Sequence, residues 1–108
     1  MAGTLGEFEQ LVLFALLRLE DEAYGTSIRR ELKERARRDA SPGAIFTTLE
    51  RLEARGFVTS RFGEPTPERG GRRKRFYRLR LEGRRALVRS FEALSAMAAD
   101  ILPKPERS

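Results

Sequence analysis

Residues 41–58 read SPGAIFTTLERLEARGFV, and this stretch decides the fold. Ser41 is a favoured N-cap residue, and Pro42 fits the first helical position, where no amide donor is needed. Apolar residues then recur at helical spacing, at Ile45, Leu49 and Leu52. Gly56 suits the left-handed position that ends many helices. The stretch therefore predicts a capped helix over 42–55, with an outward face of small and polar residues at Gly43, Ala44, Thr47, Thr48 and Arg51.

Two more helices are predicted before this one. The first, over 6–20, is apolar almost all round, so it needs two burying surfaces. A small domain supplies one of them, and we expect another subunit to supply the second, at Leu13 and Leu17. The second helix, over 24–37, carries Ile28 and Leu32 on one face and charged residues elsewhere.

A β-hairpin and a last helix are predicted after residue 56. Apolar and polar residues alternate from Val58 to Phe62 and again from Tyr77 to Leu81, with glycines and prolines between the two runs. The last helix, over 82–102, carries a heptad seam at Leu87, Phe91, Leu94, Ala98 and Ile101. This seam predicts a dimerisation helix, and packing within the protomer is the alternative.

The net charge of +6 is unevenly distributed. Residues 69–89 contain ten Arg or Lys and one acid, which gives this segment +9 and leaves about −3 for the rest of the chain. A basic block on a mildly acidic body favours a polyanionic partner, with nucleic acid ahead of an anionic membrane.

Several classes of protein are excluded by the residues that the chain lacks. It has no cysteine and no histidine, which removes disulfides, thiol catalysis and histidine acid–base chemistry. No phosphate loop, metal-ligand spacing or nucleophile–base pair is present, so we expect neither an enzyme nor a cofactor. The longest apolar run, LVLFALL at 11–17, is far short of the ~20 residues of a membrane span, which predicts a soluble cytoplasmic protein.

Three helices, a hairpin and a final helix predict a mainly α fold with a small β-hairpin, namely a winged helix-turn-helix followed by a dimerisation helix. The expected boundaries are 1–81 for the DNA-binding domain, 82–102 for the dimerisation helix and 103–108 for a flexible tail. Four motifs also resemble, in order and spacing, the PadR family of bacterial transcriptional regulators: LGEFEQLVLFALL (5–17), AYGTSIRREL (23–32), SPGAIFTTLERLEARGFV (41–58) and GGRRKRFYRLRLEGRRAL (70–87). The single C-terminal helix resembles the short branch of that family.

The resemblance implies a homodimer held by the first and last helices, with the third helix in the DNA major groove and the wing on the backbone or in the minor groove. It also implies repression of neighbouring genes. The proline-rich wing resembles that of members often encoded beside membrane permeases, so these genes could include a transporter or permease. A small-molecule effector is known for some relatives and stays open here. Two residues depart from the family pattern: Phe46 stands where a tyrosine is usual, and Arg80 where a threonine is frequent.

The expected DNA contacts are of two kinds. Residues of the third helix would meet base edges and nearby phosphates, at Ser41, Pro42, Gly43, Ala44, Thr47, Thr48 and Arg51. Residues of the wing would bind phosphates and shape the hairpin tip, at Arg69, Gly70, Gly71, Arg72, Arg73, Lys74 and Arg75. The alternatives are a nonspecific nucleic-acid-binding protein that uses only the basic wing, and a protein-interaction adaptor whose basic wing and third helix bind an acidic partner.

Overall fold

A computed structural model describes residues 4–64 and 73–103. In chain order the elements are α1 (Glu7–Leu19), a short 3-10 helix (Glu20–Glu22), α2 (Gly25–Ala36), α3 (Pro42–Ala54), β1 (Val58–Phe62), β2 (Arg75–Leu79) and α4 (Leu81–Ala98). The predicted mainly α fold with a two-stranded hairpin is confirmed, and α2 and α3 form the helix-turn-helix.

Both ends of α3 are capped as the sequence predicts. The Ser41 hydroxyl accepts a hydrogen bond from the amide of Ala44 at 3.0 Å. At the other end the amides of Gly56 and Phe57 donate to the carbonyls of Glu53 and Leu52, both at 3.0 Å. This pair of bonds is a Schellman motif, and Gly56 has the left-handed φ of 81° that it requires. The caps fix where α3 begins and where the chain turns into β1.

The hairpin is antiparallel and is tied to the helix-turn-helix. Val58 lies opposite Leu79, and Phe62 lies opposite Arg75. The amide of Tyr77 donates to the carbonyl of Ala23 at 2.9 Å, which joins β2 to the segment that precedes α2. Residues 73 and 74, which lead into β2, are therefore held at a defined place beside α2 and α3.

One hydrophobic core is shared by all four helices and the hairpin. Its most deeply buried members include Val12, Leu13, Ile28, Ile45, Leu49, Leu52, Val58 and Leu87. Burial of a side chain of this size contributes about 1.5–3 kcal/mol.

The prediction that Leu13 and Leu87 contact a partner subunit is wrong. Leu13 is 0% exposed and Leu87 is 2% exposed within the protomer. The reason is that α4 packs back onto α1, where the ring of Phe14 meets that of Phe91 edge to face with centroids 5.7 Å apart. The chain itself thus supplies the second surface that α1 needs, and Leu17 remains only partly covered.

Helix α4 begins one residue earlier and ends four residues earlier than predicted. Leu81 opens the helix instead of continuing the strand. Ala99 is extended, with ψ of 135°, and Asp100 has a left-handed φ of 69°, so the helix stops at Ala98. Ile101 therefore lies beyond the helix, in a turn, and the predicted heptad seam ends before it.

Gly83 marks the closest approach of α4 to the hairpin. A Cβ at this position would overlap the carbonyl oxygen of Phe57 and would lie 2.9 Å from Cδ1 of Leu79. We expect Gly83→Ala to lower the free energy of unfolding by about 1–3 kcal/mol, because the backbone of Phe57 cannot move aside as a side chain would. Urea denaturation measures this change.

Gly25→Ala is the matched control for the packing effect. No atom lies within 4 Å of a Cβ built there, so this substitution should leave stability unchanged or slightly raised. Equal destabilisation by the two substitutions would contradict the packing described for Gly83.

Candidate DNA-binding surface

The outward face of α3 carries six of the seven residues predicted for it. The exposed residues are Ser41, Pro42, Gly43, Ala44, Thr47 and Arg51. All of these residues except Arg51 are small or compact, so the backbone at the start of α3 is open to close approach by another molecule. The amides of this first turn also carry the partial positive charge of a helix N-terminus.

The prediction that Thr48 faces outward is wrong. Its side chain is 5% exposed and belongs to the buried side of α3. The reason lies in the helical period, since Thr48 comes three residues after Ile45 and four before Leu52, both of which are buried. Thr47 is therefore the only threonine of α3 available to a partner.

Phe46 and Glu50 are exposed on α3 and were not among the predicted contacts. Phe46 is 51% exposed and lies between the outward face and the wing. With Tyr24, Leu49 and Tyr77 it lines a mainly apolar cleft of about 350 Å³ between α2, α3 and β2. Phe46 and Glu50 each stand one residue before a predicted contact, Thr47 and Arg51, and this spacing indicated that they lie beside the outward face.

Two wing cations are exposed at the start of the returning strand. Arg73 and Lys74 directly precede β2, and the ammonium of Lys74 lies 4.3 Å from the centroid of the Tyr24 ring. A cation over an aromatic face is attracted by the ring quadrupole, which favours this position for Lys74. In the described part of the chain neither Arg73, Lys74 nor Arg51 has a carboxylate within ion-pair distance. The other predicted wing residues, Arg69, Gly70, Gly71 and Arg72, lie outside the described residues.

Arg75 differs from its neighbours because its guanidinium is engaged within the protomer. It donates to the Ser60 hydroxyl at 3.1 and 3.0 Å from Nε and Nη2. It also lies 3.2 Å from Oε1 of Glu53 and 3.4 Å from Oε2 of Glu50. The prediction that Arg75 belongs with the phosphate-contacting cations is therefore not supported by its surroundings, since two carboxylates of α3 already neutralise it.

Tyr77 lies beneath this ion-pair cluster. Burial raises the pKa of its hydroxyl, the Arg75 guanidinium lowers it, and the carboxylates of Glu50 and Glu53 raise it further. The phenol therefore stays neutral at physiological pH, and Tyr77 acts as a core residue between β2 and α3.

A second surface is apolar and lies on α4. The side of α4 that is buried near its start, at Gly83, Ala86, Leu87 and Ser90, continues past the body of the domain. Its continuation is exposed, and we call it the α4 apolar face: Phe91, Leu94 and Met97. Of the other residues predicted for dimerisation, Ala98 is partly covered and Ile101 is exposed beyond the helix end. Soluble monomers rarely expose a contiguous apolar patch of this kind.

Within residues 4–64 and 73–103, no group of three or more acidic side chains is placed to hold a metal ion. Over the same residues, no helix is both long enough and apolar enough to cross a membrane.

Comparison with known proteins agrees with this architecture. The chain is 35% identical over 83 residues to the transcriptional regulator Rv3488 of Mycobacterium tuberculosis, an alignment that covers 77% of this chain and 73% of that protein. A PadR family transcription regulator of Clostridium difficile has a similar structure, with a TM-score of 0.69 and 25% identity, over 91% of this chain and 100% of the other. A PadR-like transcription factor of Bacteroides fragilis superposes with a TM-score of 0.70 and 26% identity, over 88% and 89% of the two chains.

The family model of the transcriptional regulator PadR-like family matches residues 13–89. This range contains the second half of α1, all of α2, α3 and the hairpin, and the first half of α4. The chain therefore belongs to the PadR-like family of transcriptional regulators and is a DNA-binding protein, not an enzyme.

Proposed function

We propose that this protein is a homodimeric repressor that binds a specific DNA sequence near its own gene and limits transcription of neighbouring genes. In this proposal α3 enters the major groove and the wing contacts the backbone or the minor groove. The observation that carries it is the small, exposed face of α3 beside the wing cations Arg73 and Lys74.

The face of α3 suits the reading of base edges. Gly43 and Ala44 have no long side chains, so the start of the helix can approach the groove floor closely, and its amides can meet a phosphate. Thr47 offers a methyl group for thymine and a hydroxyl for a base edge or phosphate. Arg51, one turn further along, can donate two hydrogen bonds to guanine O6 and N7. We assign sequence preference mainly to Thr47 and Arg51.

The wing suits the contact with phosphates. Lys74 and Arg73 supply charge without base specificity, and they would release counterions on binding. On sequence grounds Arg69 and Arg72 belong to the same group, and Gly70 and Gly71 would shape the tip. These cations would set affinity and its dependence on salt.

A second copy of this chain is the proposed occupant of the α4 apolar face. Phe91, Leu94 and Met97 continue the line of residues that is buried nearer the start of α4, so the helix is amphipathic along its whole length. Phe14 of α1 is partly covered and meets Phe91 edge to face, so it extends the apolar surface. Leu17, about one turn further along α1, is also only partly covered. Residues 1–81 would then form the DNA-binding domain, and the second half of α4 the dimer contact.

A two-fold dimer has a geometric consequence for its operator. The two α3 helices would meet half-sites about one helical turn apart, roughly 34–36 Å, on one side of the duplex. The operator should therefore be an inverted repeat. A dimer bound there would exclude polymerase from an overlapping promoter, which is why repression is the proposed output.

Substitutions in α3 and in the wing should have different effects on DNA binding. Thr47→Ala with Arg51→Ala should lower the affinity for the upstream region of its own gene by about tenfold or more and leave the affinity for scrambled DNA nearly unchanged, because base contacts are lost. Lys74→Ala should lower the affinity for both DNAs by the same factor and reduce the slope of log affinity against log salt by about 0.9, because one phosphate contact is lost. Fluorescence anisotropy at several salt concentrations measures both effects. Equal binding of the two DNAs by the wild-type protein would contradict sequence-specific regulation and favour a nonspecific binder.

The dimer has a separate test. Phe91→Glu with Leu94→Glu should give monomers, because two charges would be buried at the proposed contact, and operator binding should weaken by about tenfold or more as the two half-sites lose their coupling. Leu87 is avoided because its substitution would disturb the protomer core. Sedimentation velocity measures the change.

Ala96→Glu with Ala99→Glu is the matched control. Both residues are exposed, and neither is three or four positions from Phe91, Leu94 or Met97, so both lie away from the α4 apolar face. This variant should remain dimeric. Monomers in both variants, or dimers in both, would argue against the α4 apolar face as the contact.

A further inference from the structure

Arg75, Ser60, Glu50 and Glu53 form a cluster of hydrogen bonds and ion pairs, which we call the Arg75 cluster. It contains both acidic residues of α3. Glu50 and Glu53 lie on the side of the helix that faces β2, and Glu50 is exposed, three residues after Thr47 and one before Arg51. If α3 enters a groove, the Glu50 carboxylate approaches the phosphate backbone. Like charges brought together in this way cost several kcal/mol unless one of them is neutralised.

The geometry of Arg75 is that of a bridge between two elements. Its planar guanidinium contacts one carboxylate with Nη1, the other with Nη2, and the Ser60 hydroxyl with Nε. The rings of Phe62 and Tyr77 each lie with their centroids 5.6 Å from its Cζ, and they restrict its movement further. The Ser60 hydroxyl also donates to Glu53 at 2.9 Å, which closes the cluster.

We propose that Arg75 acts on DNA binding through Glu50 and Glu53 and not through a phosphate. The bridge offsets one of the two negative charges on the side of α3 that would meet the backbone, and it holds both carboxylates against β2. It also holds β2 at a fixed place against α3, and so positions Arg73 and Lys74. This inference rests on the proposed function, because it concerns the same DNA-binding surface.

The decisive experiment compares the operator affinity of Arg75→Gln with that of a triple variant that also removes the two carboxylates. Arg75→Gln leaves both carboxylates unpaired and should weaken operator binding by at least about tenfold. Arg75→Gln with Glu50→Gln and Glu53→Gln removes the cation and the acids together and should recover most of the lost affinity. If Arg75 contacted a phosphate directly, the triple variant would bind no better than Arg75→Gln, and that result would overturn the proposal.

Two further readouts separate a bridge from a phosphate contact. Arg75→Lys keeps the charge but loses the planar fork, so the bridge predicts weaker operator binding, whereas a phosphate contact predicts affinity near that of the wild type. The triple variant should keep the salt dependence of the wild type, because no phosphate contact is removed. A fall of about 0.9 in its slope of log affinity against log salt would contradict the proposal.

The controls keep these outcomes distinct from failure to fold or failure of the proposed function. Circular dichroism shows whether each variant is folded. If Arg75→Gln is unfolded, the operator affinity and salt dependence of the triple variant and of Arg75→Lys, compared with the wild type, still distinguish a bridge from a phosphate contact. The wild-type preference for operator over scrambled DNA is measured first. Its absence would overturn the proposed function, whereas its presence without recovery in the triple variant would overturn only the role assigned to Arg75.

Discussion

The attachment of strand β2 to the helix-turn-helix is the constraint on which the proposed DNA-binding surface depends. The amide of Tyr77 donates to the carbonyl of Ala23 at 2.9 Å, and the guanidinium of Arg75 bridges two carboxylates of α3. These contacts join β2 to α3 and to the segment that precedes α2. A wing held in this way can present Arg73 and Lys74 at a fixed distance from α3, whereas a loosely joined wing would lose conformational entropy on binding.

Helix α4 has two different halves, because the rest of the protomer covers only the first of them. Near its start, Gly83 allows the helix to lie directly on the carbonyl of Phe57, and Leu87 completes the core. Beyond Phe91, whose ring meets that of Phe14, the line of apolar residues continues exposed at Leu94 and Met97. The second half of this eighteen-residue helix keeps Leu94 and Met97 exposed in the protomer, and this uncovered apolar surface is the physical basis for proposing a second copy.

Much of the fold could be predicted from local patterns. The caps of α3, the hairpin and the order of elements follow from Ser41, Gly56 and the alternation around Val58 and Tyr77, all of which act over a few residues. The errors arose where the answer depended on distant parts of the chain. Leu13 and Leu87 were predicted at a subunit interface because the sequence does not reveal that α4 folds back onto α1.

The candidate site was predictable to a smaller extent. The outward face of α3 follows from its period, and a stricter use of that period would have placed Thr48 inside. The role of Arg75 could not be read from its basic neighbours, because its partners Glu50 and Glu53 are more than twenty residues away. Composition identifies a basic wing, but only the fold separates a cation that is paired within the protomer from those that are exposed to a partner.

Footprinting on the promoter of its own transcription unit tests the central claim most directly. A two-fold dimer with α3 in the groove should protect two half-sites of an inverted repeat, with centres about 10–10.5 base pairs apart or a multiple of that spacing, at concentrations that leave flanking DNA unprotected. Uniform protection along the fragment, or a single protected half-site with no symmetry mate, would contradict the account.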